Sequence, residues 1–379
     1  MEEPNIIKSF KRNTLFTLIK IINQRFLFLE VFKIKLKKLY KPIIKSLYSK
    51  SDSKCHMKTK LVTLKGHTDS VTSVAFNPVL PMLATCSPDK TAILYSLDFS
   101  QIETFGKILI ILTGHSSSIN SISFSADGLY LATGSWDGLI IIHNVNRSKE
   151  IFGSKLTEIR RPTGSIYALC HSPSGNEIAV GGSDGTTSIY GINPSHDNFK
   201  KRIIKLVGHS KWIYSINFSQ DGLRVVTGSY DNIGIIHNLQ NIEKKVFLKE
   251  AKGVLYIVLF SPLGSYIACG SEDKCAYIYG GNPEAKNYGL LIQKLTNHKN
   301  IIRSILFTFD EKMIITGGED KIQVFNRLTA IKSENENEIL TVTKIKEIKH
   351  RGFANSIQQS RNGELLAIGL SDYTTIIYS

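Results

Sequence analysis

Cysteine is scarce and unpaired in this chain of 379 residues: Cys55, Cys86, Cys170, Cys269 and Cys275 show no paired metal spacing. Zinc sites draw on closely spaced Cys and His pairs, so a zinc finger or ribbon is excluded and no metal is expected. Scattered thiols read as reduced, buried side chains of an intracellular protein, cytoplasmic or nuclear, rather than as a disulfide framework. A long apolar run is also missing. Lys20, Arg25, Glu30 and Lys33 break the most hydrophobic stretch well before the roughly 18 residues that span a bilayer. Glu2-Glu3 at the start, with no clean apolar core and cleavage site behind it, argues against a signal peptide. There is no Gly-rich phosphate loop with Lys-Ser/Thr, and no cofactor is expected. Tryptophan occurs only twice, at Trp136 and Trp212.

Charge is present in excess but unevenly placed. The net charge is +15. Residues 1–60 hold 15 Lys+Arg against 4 Asp+Glu, which leaves 32 against 28 for residues 61–379. The basic character therefore belongs to the N-terminal segment. Within residues 1–57, Leu15, Ile19, Ile22, Phe26 and Leu29 share one face at helical spacing. The segment reads as a basic amphipathic helix. It can meet an anionic membrane, RNA or a partner groove, pack as an extra helix, or remain an unstructured extension. Pro42 ends any helix, and SKSDSK (49–54) reads as a linker.

What dominates the remainder is repetition. The stretch Gly114–Asn144 reads as three strands, apolar runs bounded by the turns SADG and SWDG. The Asp of the second turn recurs at Asp89, Asp137, Asp184, Asp231, Asp273, Asp320 and Asp372. Counting back 22 residues from each gives His67, His115, Pro162, His209, Ala251, His298 and His350. The 22-residue block never changes length, while the interval between successive Asp residues runs from 42 to 52. Rigid blocks joined by elastic connectors are the mark of a repeat architecture.

The Gly-His pairs (66–67, 114–115 and 208–209), the turn Asp and the following three-strand pattern resemble the WD-repeat family. The resemblance implies an all-β, seven-bladed β-propeller over residues 58–379, with residues 1–57 as a separate extension. It also implies that KTKLVTL (58–64) supplies the outer strand of the last blade and closes the ring. Within blades it implies structural pairs His67–Asp89, His115–Asp137, His209–Asp231, His298–Asp320 and His350–Asp372. These pairs lack a nucleophile or third ligand, so they read as architecture rather than catalysis, and no enzyme activity is expected. The family's Trp slot holds Tyr95, His143, Tyr190, His237, Tyr279, Phe325 and Tyr378. Weaker networks are expected in repeats three, five and six. SENENEIL (333–340) reads as an exposed loop.

By the same resemblance, three positions per repeat face the surface where such propellers bind partners. They include Trp136, Tyr167, Trp212, Tyr214, Tyr230, Tyr256 and Phe353, beside Glu272, Arg303 and Glu319. Both tryptophans fall in this set, and Trp, Tyr and Arg dominate binding hot spots. The expectation is a non-catalytic scaffold, a monomeric propeller within a larger complex. It would bind a protein or peptide, with the carboxylates suiting one that carries Lys or Arg. The alternatives are a ribonucleoprotein component or a membrane-trafficking adaptor that uses the basic extension.

Overall fold

A computed structural model describes residues 59–379 except 148–149, 162, 297, 321 and 333–337. The amphipathic helix expected over residues 1–57 lies outside these. Among the described residues there is no α-helix, only one 3₁₀ turn at Ile102–Thr104 and 28 strands. The strands form seven four-stranded antiparallel sheets. Their innermost strands are Ser73–Phe76, Ile119–Phe124, Ile166–His171, Ile213–Phe218, Leu255–Phe260, Ile302–Phe307 and Ala354–Gln359.

Each sheet follows from its sequence pattern. The second strand of every sheet is apolar and buried on both faces, as in Tyr130–Ser135 and Tyr266–Ser271, because a neighbouring sheet covers each side. The fourth, outer strand alternates: Lys155–Arg160 runs exposed, exposed, buried, exposed, buried, exposed. Gly134, Gly181, Gly228, Gly270 and Gly317 stand in second strands where the next sheet's innermost strand comes closest. A Cβ on Gly181 would lie 2.6 Å from Ile213 Cγ2, so glycine sets this spacing.

Small polar groups tie neighbouring sheets together. Ser121 Oγ donates to Leu169 O (3.3 Å) and accepts from Leu169 N (3.0 Å), and Ser215 Oγ does the same with Val258 (3.1 and 3.0 Å). The last sheet joins the first in the same manner. Asn355 Nδ2 donates to Val71 O (3.0 Å), and Val71 N donates to Leu370 O (3.0 Å). In that last sheet the outer strand is Lys60–Leu64, paired antiparallel with Thr375–Tyr378. Leu64 is buried with Val71, Tyr95 and Ile377.

One sequence expectation changes here. SENENEIL is not wholly a loop. The third strand of the sixth sheet runs Ile322–Lys332 and the outer strand runs Glu338–Lys349, with Lys332 opposite Glu338. The insertion lengthens a hairpin, because IL and VTKIKEI continue a strand-like alternation past the acidic residues.

Candidate functional site

The site rests on a polar network inside each sheet. In four sheets the turn Asp accepts from the His Nδ1. The distances are 2.8 Å for His67–Asp89 and 3.0 Å for His115–Asp137, His209–Asp231 and His298–Asp320. The opposite ring nitrogen meets a buried threonine on the second strand: Thr85, Thr133 and Thr227 at 2.8 Å, Thr316 at 2.7 Å. A carboxylate only accepts, so Nδ1 carries the proton, and Nε2 accepts from the threonine hydroxyl. Burial lowers the pKa of His67 and of His115, which favours the neutral ring. Burial pushes the Asp89 carboxyl up, but hydrogen bonds from Thr91, Thr68 and His67 outweigh it and leave the pKa lowered. In the fourth sheet the chain is longer, since His237 Nε2 lies 3.3 Å from Thr227 Oγ1.

The other sheets find different solutions. In the third, the His position is Pro162, and the neighbouring Arg161 takes over. Its buried guanidinium donates from Nη2 to Asp184 Oδ1 at 2.9 Å. In the fifth, Ala251 replaces His, and the Tyr277 hydroxyl donates to Asp273 Oδ2 at 2.6 Å. The weaker network expected in the sixth sheet is not found among its described side chains, where His298, Asp320 and Thr316 are all engaged. The side chain of Phe325 lies outside them. The weak network is in the seventh. His350 Nε2 is buried without a partner. Asp372 Oδ1 accepts from Thr374 N and Oγ1 (3.2 and 2.6 Å), as Asp89 Oδ1 does from Thr91, but no hydrogen bond joins His350 to Asp372 among the described residues. The physical reason is that Ile368 occupies the position matching those threonines, and it has no hydroxyl.

These networks aim the surface groups. The residue after each of these four His donates its backbone N–H to the turn Asp: Thr68 to Asp89 (3.0 Å), Ser116 to Asp137 (2.8 Å), Ser210 to Asp231 (3.0 Å) and Lys299 to Asp320 (3.1 Å). Lys252 does so to Asp273 (2.7 Å) in the fifth sheet, although the His is absent. In these five sheets the connector entering the innermost strand is thus held against the Asp turn, and both lie at one end of the sheets. Gly66, Gly114 and Gly208 enter this connector with φ of +151°, +128° and +150°, where a side chain is disfavoured.

At that end the aromatic residues form one continuous arc. Trp136 meets Tyr167 (ring centroids 5.7 Å), and Tyr167 stacks on Trp212 (5.5 Å, 14° between planes) and contacts Tyr214 (5.1 Å). Tyr230 packs on Trp212 (5.6 Å), and Tyr214 reaches Tyr256 (5.2 Å). The Arg303 guanidinium lies over the Tyr256 ring at 4.7 Å. Six rings from four sheets therefore touch in sequence. Trp136, Trp212 and Tyr230 remain 45%, 43% and 41% exposed, far above what a packing role would leave. Burial and the neighbouring tyrosines push the Tyr214 hydroxyl up to about 12, so it stays protonated at neutral pH.

The remaining site residues divide. Glu319 pairs with Arg303, Nε to Oε1 at 2.6 Å, so this carboxylate is already engaged. Glu272 is exposed, and its Oε2 accepts from Val254 N at 3.4 Å. Phe353 lies in the last sheet, half-buried, and no ring contact joins it to the arc among the described residues. The reading of the sequence missed Lys211, whose Nζ lies 5.2 Å over the Tyr230 ring. Its place directly before Trp212 in the connector was the available signal. Among the described residues no cluster of three or more His, Cys, Asp or Glu is arranged to hold a metal ion.

The architecture and the networks together define a WD40 β-propeller. The WD domain, G-beta repeat family matches residues 58–96, 106–144, 153–190, 200–237, 244–280 and 289–326, together more than half of the chain. The chain belongs to this family. A comparison with curated proteins returned no match. WD40 propellers in general serve as scaffolds for protein interaction, and that general role applies here.

Proposed function

We propose that this protein is a non-catalytic scaffold that binds a protein or peptide on the aromatic arc and supports assembly of a multiprotein complex. The observation that carries this reading is the run of six touching rings with both tryptophans of the chain exposed in it. A rigid aromatic surface buries much area at low entropic cost, which is what binding hot spots require. The six matched repeats supply the rigid frame. We extend the frame to seven blades, with the last formed by Ala354–Tyr378 and closed by Lys60–Leu64. Closure leaves no open sheet end, and a single propeller needs no second copy. The reduced thiols fit an intracellular site of action, in cytoplasm or nucleus.

The test compares the full chain with Trp212→Ala/Tyr230→Ala as bait in cell extract, after melting curves show that both fold alike. Loss of a specific bound protein from the variant supports the arc as the site. An identical captured set from both baits overturns it.

A further inference from the structure

The arc is not uniform along its length, and this inference rests on the reading of the arc as a partner site. One end, Trp136, Tyr167 and Trp212, is neutral and aromatic. The other end is rimmed by cations. Lys211 lies over Tyr230, and Arg303 lies over Tyr256. Exposed Lys252 and Lys299 stand on the connectors of the fifth and sixth sheets, fixed there by their backbone bonds to Asp273 and Asp320. Exposed Lys274 follows Asp273 in the same turn with φ +72°, a left-handed conformation that holds it at the turn's tip.

The acids at this end are largely engaged. Glu319 is tied to Arg303, and Asp320 to His298. Asp273 accepts from the Tyr277 hydroxyl and from two backbone amides. Exposed Glu272 remains, as does exposed Glu250 two residues before Lys252, against the four lysines and Arg303. Lys252, Lys274 and Lys299 are exposed, whereas Glu319, Asp320 and Asp273 are held by partners within the protein. A peptide bearing Lys or Arg would therefore meet repulsion from the rim.

We infer that the arc takes an extended acidic peptide segment, with an apolar or aromatic anchor on Trp136–Tyr167–Trp212 and carboxylates toward Lys211, Lys252, Lys274 and Lys299. Charge complementarity selects the partner and sets its direction along the arc.

Both tryptophans of the chain lie in the arc, so their fluorescence reports occupancy directly. The probes are Trp-free peptides of about twelve residues, which span roughly 40 Å when fully extended. One carries a Phe followed by a run of Glu and Ser, and its counterpart has Lys at each Glu position. Oligouridylate is the third probe. Titrated into the full chain, the acidic peptide should change the emission and bind about tenfold tighter than the Lys peptide, less so at high salt. Lys252→Glu/Lys274→Glu should remove that preference while leaving the melting curve in place. Equal or tighter binding of the Lys peptide overturns the inferred charge. So does oligouridylate outcompeting both peptides, which would make the platform one for nucleic acid. Silence from all three probes overturns the inference as well. If Trp212→Ala/Tyr230→Ala still loses its captured partner in any of these cases, the arc remains a protein-binding site of other chemistry.

Discussion

Arg161 Nη2 donates to Asp184 Oδ1 at 2.9 Å, and the same group reaches Thr186 O and Oγ1 at 3.2 Å. One arginine thereby does in the third sheet what histidine and threonine do together in four others. Its Nε and Nη1 are buried without partners, so the guanidinium is held by Asp184 alone as a charge. Removing one member of a buried ion pair leaves the other uncompensated. Arg161→Ala should cost about 3 kcal/mol in urea unfolding, tempered by the hydroxyl of Thr163 that still bonds Asp184. A change of about 0.5 kcal/mol or less, the range of an ordinary surface substitution, would mean that Thr163 and Thr186 already satisfy the carboxylate.

The orphaned His350 allows a test by restoration. Ile368 is fully buried at the position where four other sheets place threonine. Ile368→Thr should supply the missing hydroxyl to His350 Nε2 and be at least as stable as Ile368→Val. Without that bond, a buried unpaired hydroxyl should make the Thr variant less stable than the Val variant by about 1–3 kcal/mol. Chemical denaturation of the two variants side by side decides between the outcomes.

Stability should depend on pH through buried histidines. Burial lowers His143, His171 and His350 to about 4 and His237 to about 3, whereas an unfolded histidine titrates near 6.5. Between those values the unfolded chain binds more protons than the folded one, so acid favours unfolding. Above about pH 7 the stabilisation is complete. It should fall progressively from pH 6.5 toward pH 4, before the buried Asp groups begin to protonate. Urea midpoints that stay flat from pH 7 to pH 4.5 would contradict this. His237→Phe should flatten part of the slope.

The pairing of Lys60–Leu64 with Thr375–Tyr378 predicts that the first strand stabilises the last sheet. Leu64 packs on Ile377 from the last sheet. Leu64→Ala should lower stability by about 2–5 kcal/mol, as for a core leucine. A loss below about 1 kcal/mol, far under the cost of a core truncation, would show that the strand is an optional edge.

The repeat was legible because the block from His to Asp keeps a constant length, and that register carried the turn Asp and the aromatic positions with it. Trp136, Tyr167, Trp212, Tyr214, Tyr230 and Tyr256 were located by the family resemblance counted along that register, and the structure brings their rings into contact. Arg161 was missed because it lies one residue before the His position, where a fixed count does not look. Tyr277 was missed because a strand aromatic gives no sign of whether its hydroxyl reaches a carboxylate. The threonine that meets the His was legible in hindsight, and its replacement by Ile368 marks the expected pair that does not form. The lengthened hairpin of the sixth sheet was hidden by its acidic residues, since polarity masked a continuing strand alternation. Pairing of Arg303 with Glu319 could not be read at all, because it depends on side-chain reach across a turn.

Site-specific photocrosslinking tests the central claim most directly. Tyr230→p-benzoylphenylalanine places the probe in the arc, and Ala126→p-benzoylphenylalanine places it in an exposed turn that closes the innermost strand Ile119–Phe124 at its far end. With the full chain in cells, the arc position should give a discrete protein adduct that the Ala126 position does not. Adducts at Ala126 with none at Tyr230 would contradict the account and move the interaction surface to the other end of the sheets.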